Sequence, residues 1–68
     1  MPNVIATAIR TAGDMVMVFD RAGRQVPECQ GLYPDVRELL LHRAAPSTVF
    51  KHWFGNAAAP RVVGARDW

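Results

Sequence analysis

Cysteine occurs once in these 68 residues, at Cys29, so the chain has no pair with which to close an internal disulfide. Lysine is as scarce: Lys51 is the only one, against seven arginines. No apolar run approaches the ~20 residues that a membrane-spanning helix needs. Met1-Pro2-Asn3-Val4 places no charged leader ahead of an apolar stretch, so no signal peptide is expected. With a lone thiol, the expectation is a cytoplasmic chain without membrane attachment, of bacterial or phage type. Repeats and low-complexity runs are also missing.

These absences bear on stability. A chain this short buries only about 60% of the surface its unfolded form exposes. Its core supplies roughly 3–5 kcal/mol unless something staples it. Disulfides are out, and no cluster of metal ligands stands out. Oligomerisation is the staple left, a homodimer being its simplest form.

Half of the residues are apolar and 21% are charged, the balance of a folded protein. The net charge of +2 is too small to indicate nucleic-acid binding by itself. The richness in Arg and Ala also has a plain origin in GC-rich coding.

The pattern predicts a strand over 3–10, with Ile5, Thr7 and Ile9 on one face and Val4, Ala6 and Ala8 on the other. A turn follows at 11–14. Residues 15–20 carry the strongest strand signal: Met15, Met17 and Phe19 on one side and Val16 and Val18 on the other read as a strand buried on both faces. The loop Asp20-Arg21-Ala22-Gly23 leads to a returning strand over 24–29, placed at an edge or ended near Pro27, because Pro27 cannot donate to a ladder. A helix is expected over 35–44, with Asp35 as cap, Glu38 at capping-box spacing, and Val36, Leu39, Leu40 and the Arg43 stem as its buried stripe. Residues 47–55 admit two readings. Ser47 and Gly55 suit a helix, whereas the β-branched and aromatic content suits a strand, which is the reading adopted. In that strand Phe50, His52 and Phe54 face one way and Val49, Lys51 and Trp53 the other. A short strand over 61–66 closes the chain. The fold class expected is α+β: a small single two-layer domain, β-β-β-α-β-β along the chain, with one helix on a mostly antiparallel sheet.

Chemistry is harder to find. Cys29 with His42 or His52 is the one nucleophile-and-base combination, and no spacing ties them together. Zinc-type ligand pairs are missing, so no metal is expected. Five of the six acids have plain local roles at turns, at the helix start or at the terminus, and Glu28 is the exception. The glycines form no phosphate-cradling loop. The expected function is therefore non-enzymatic, without cofactors: an accessory chain that binds a larger protein, or itself. Phe50, Trp53, Phe54 and Trp68 with Arg61 and Arg66 are the candidate partner-binding residues, because Trp, Tyr and Arg dominate interface energetics. The same rings could instead fill the core. The alternative is a nucleic-acid-binding module using Arg21, Arg24, Arg61 and Arg66, with exposed rings to stack bases. The two-faced apolar strand 15–19 adds a further expectation: the stable folding unit is an assembly, with segment 49–54 at its seam.

Overall fold

A computed structural model describes residues 4–55 and 58–68. Residues 1–3, on which the leader expectation and the start of the first strand rest, lie outside the described part. The elements run β1 (Ile5–Thr11), β2 (Met15–Asp20), β3 (Gly31–Leu32), α1 (Tyr33–Arg43), β4 (Val49–Trp53) and β5 (Arg61–Val63). This is the expected α+β order. The strands form one sheet ordered β3-β2-β1-β4-β5, and α1 packs on one of its faces. Among the described pairs, β1 and β4 run parallel and the others antiparallel. The strand reading of 47–55 holds over Val49–Trp53.

The core lies between sheet and helix: Ala8, Val16, Val18 and Phe50 from the strands meet Val36 and Leu40 from α1. Ile5 joins them at 1% exposure. Simple alternation puts Ile5 with Thr7 and Ile9 on the opposite face. The register shows why that fails: Ile5 pairs with Asp20 and Thr7 with Phe19, so Ala6 is an extra residue on β1. This β-bulge turns Ile5 inward.

The return along the edge of β2 is also more broken than a strand over 24–29. Only Gln25 bridges to Phe19, and Pro27–Cys29 then form a 3₁₀ turn. The turn at Pro27–Cys29 ends the backbone pairing there, and the Gln30 side chain supplies an acceptor in its place, its Oε1 accepting the Val18 N–H at 3.0 Å. Gly31 and Leu32 then pair with Val16 and Met15.

The helix starts at Tyr33, two residues before the expected first residue, and Leu32 precedes it without a side-chain cap. Asp35 is therefore inside the first turn rather than capping it, where its charge still complements the helix dipole. Pro34 occupies one of the first helical positions, where a missing N–H costs nothing. The buried stripe runs through Tyr33, Val36, Leu40 and Ala44, and Leu39 is left 41% exposed. The last strand is shorter than 61–66 and ends at Val63.

Candidate interaction surface

A helix covers one face of the sheet; the register defines what stands on the other. Paired residues share a face, so three cross-strand rows can be read off directly. The first is Phe19–Thr7–Val49, and the second is Met17–Ile9–Lys51–Val62. The third runs Leu32–Met15, then across to Thr11–Trp53. Thr11 and Met15 are joined by the Thr11 hydroxyl, which donates to the Met15 carbonyl at 2.8 Å.

Nearly everything in these rows is apolar, and Lys51 is the one charged side chain in them. Ile9 is 7% exposed yet stands outside the core cluster, because its own neighbours cover it rather than the helix. The flanking residues are open: Met15 49%, Leu32 50%, Trp53 38% and Val62 65% exposed. Met17 and Phe19 are half-buried. Strand β2 is thus buried on one face only, not on both. Its Met15-Met17-Phe19 side looks away from the core.

The six candidate partner residues divide. Phe50 and Trp68 are interior, at 5% and 2% exposure, and are unavailable on the surface of the folded chain. Trp68 is held from several sides. Its ring lies 5.0 Å from Phe50 and 5.3 Å edge-on to Tyr33. Its indole N–H donates to the Lys51 carbonyl at 3.0 Å. Its main-chain oxygen accepts from the Arg10 guanidinium at 3.0 Å. That guanidinium lies 3.6 Å over the Tyr33 ring and pairs with Asp14 at 2.8 Å. Trp53 stands on the helix-free face. Phe54 is 44% exposed on the other side, stacked on His52. Arg61 and Arg66 are exposed.

Arg21 and Arg24 lie in the turn after β2, whose last residue pairs with Ile5 at the start of β1. Arg61 sits opposite His52, level with Arg10 near the far end of β1. The arginines of the nucleic-acid alternative therefore do not converge on one stripe. Arg21 also donates to the Ser47 hydroxyl at 2.8 Å.

Cys29 is fully buried, and Arg43 donates to its sulfur at 3.2 Å. Burial pushes the thiol pKa up, opposed by the Arg43 charge, and Glu28 pushes it up further. Among the described residues, no group of three or more His, Cys, Asp or Glu side chains gathers to hold a metal. No helix among them is long and apolar enough to cross a membrane. An open groove of about 440 Å³ lies on the helix side, between the end of α1 and β5. Among the described residues lining it, Thr48 is the one polar side chain, and its hydroxyl is already engaged, donating to the Ile5 carbonyl and accepting from the Ala45 N–H.

Sequence reasoning placed Trp53 among the candidates but missed Ile9, Thr11, Leu32 and Val62 as one surface. Their grouping depends on the parallel β1–β4 pairing, which no local pattern encodes. Comparison with protein-family models, with curated proteins and with solved structures gives no match for this chain.

Proposed function

We propose that this chain is a non-enzymatic protein-interaction domain that works through the helix-free face of its sheet. One observation carries the reading: an apolar surface of Met15, Met17, Phe19, Leu32, Trp53 and Val62 around the covered Ile9, with Lys51 as its one charge. Apolar patches beyond a few hundred Å² are uncommon on monomers and mark interaction sites. Met and Trp suit such a surface, one by adaptability and the other by the area it covers.

Two of the side chains that would serve chemistry have other occupations. Cys29 is sealed and held by Arg43. His52 stacks on Phe54. A buried reduced thiol supports a cytoplasmic setting, and an accessory chain of bacterial or phage type remains the reading of its origin.

The test is photo-crosslinking in an extract of the native cell, with a benzophenone side chain at Val62 or at Glu38. Val62 is on the proposed surface, and Glu38 is exposed on the helix. A product from Val62 alone is expected. Equal products from both positions, or none from Val62, would overturn the reading.

A further inference from the structure

We infer that the occupant of the helix-free face is a second copy of this chain, packed sheet to sheet about a twofold axis that runs along β1. This rests on the reading of that face as an interaction surface and names its partner.

The pattern of the face is complementary to itself. A twofold axis in the plane between two aligned sheets, parallel to β1, keeps each row in place and reverses its order. Strand β4 of one copy then lies over β2 of the other. In the first row Phe19 meets Val49, and Thr7 meets its own copy. In the second Ile9 meets Ile9, and Met17 lies over Lys51. In the third Trp53 lies over Met15, with Thr11 on the axis. Large side chains on the flanking strands thus face smaller or flexible ones, and the three residues on the axis are of small or middle size. A methionine sulfur against an indole is a favourable contact in its own right.

Charge fits the same arrangement. The two Lys51 residues fall on opposite sides of the axis, displaced laterally by about 10 Å, or two strand spacings. That is about one Debye length in physiological salt, and each aliphatic stem can lie along Met17 while its ammonium reaches water. Sheets stacked this way sit about 10 Å apart, with the two β1 strands parallel to each other.

The area suffices, though only just. The three rows span about 20 Å by 20 Å at ordinary strand spacings, so a pair covers ~800 Å² in projection. Side-chain relief raises this to roughly 1,000–1,200 Å², the lower end of specific interfaces. The dimer is therefore a modest one, with a dissociation constant on the order of micromolar.

The experiment is sedimentation equilibrium of the full chain and two variants, M17K and M17K/K51E, with circular dichroism showing that each is folded. M17K sets one ammonium over another, twice per dimer. The double variant restores opposite charges across the axis. Expected are a reversible wild-type dimer, a dimer weakened by about tenfold or more in M17K, and recovery to within about threefold in the double variant. A monomeric wild type, or a dimer indifferent to M17K, overturns the second copy as occupant. An apolar dye separates that failure from failure of the underlying reading. If a monomeric wild type binds anilinonaphthalene sulfonate and M17K does not, the face is an open apolar surface for a different partner. If neither binds the dye, the interaction reading falls as well.

Discussion

Trp68 closes the core that Arg10 and Tyr33 begin. Its ring lies between Phe50 and Tyr33, and both its indole N–H and its main-chain oxygen are engaged. Truncating a buried tryptophan costs about 3–5 kcal/mol, as much as a core of this size supplies. Trp68→Ala is therefore expected to unfold the chain in circular dichroism. Trp53→Ala, at an open position, should leave it folded with a loss of about 1 kcal/mol or less. Equal behaviour of the two would contradict these placements. Cys29 makes the second prediction at this scale. A sealed thiol with a raised pKa stays neutral and unreactive near pH 7, so a thiol reagent should label it slowly in the native chain and fast in urea. The pH dependence follows in sign. The folded pKa lies above the unfolded one, so the unfolded chain loses its proton first as pH rises. Stability is unaffected below the ordinary thiol range and falls as pH climbs through and above it. Rapid native labelling at neutral pH would remove this picture. That Phe50 and Trp53 face opposite ways was readable from the alternation of the strand, but not which of the two faces is core. The fate of Trp68 was not, because its partners lie 58 and 17 residues away in the chain.

Among the elements, β2 carries the most information. Its inner face of Val16, Val18 and Asp20 is buried, and its outer edge is completed piecewise by Gln25, Gln30 and β3. Gln30 replaces a backbone acceptor that the Pro27 turn takes out of register. Gln30→Ala leaves the part-buried Val18 N–H without its acceptor, at a cost of about 1–2 kcal/mol. The expected readout is a lowered urea midpoint together with faster hydrogen exchange at Val18. An unchanged Val18 amide would show that another group satisfies it. Asp20 acts on the same strand by accepting from the Ala22 and Arg24 N–H groups at 2.9 and 3.0 Å, which fixes the turn. Strand β4 was preferred over a helix only for its β-branched and aromatic content, whereas the strands β1 and β2 and the helix were legible from periodicity, which local side-chain order sets. The bulge at Ala6 and the Gln30 insertion were not, because each solves a mismatch that exists only once strands are paired.

For the whole molecule, one face of the sheet carries a helix and, among the described residues, the other has none. The two-sided apolar character of residues 15–19 was visible in the sequence, and it motivated the expectation of an assembly. The sequence did not show which residues share the second face, since the parallel crossover from β3 through α1 to β4 decides that. If two copies bury this face together, folding and association are linked, and the urea midpoint must rise with protein concentration. A midpoint independent of concentration would mean that the chain unfolds as a monomer.

The most direct measurement is an isotope-filtered nuclear Overhauser experiment on a mixture of labelled and unlabelled chains. It reports contacts between copies alone. The account predicts cross-peaks from the Met17 methyl to the Lys51 stem and from the Trp53 ring to the Met15 methyl. Intermolecular cross-peaks confined to the helix, or none at a concentration where the chain sediments as a dimer, would contradict it.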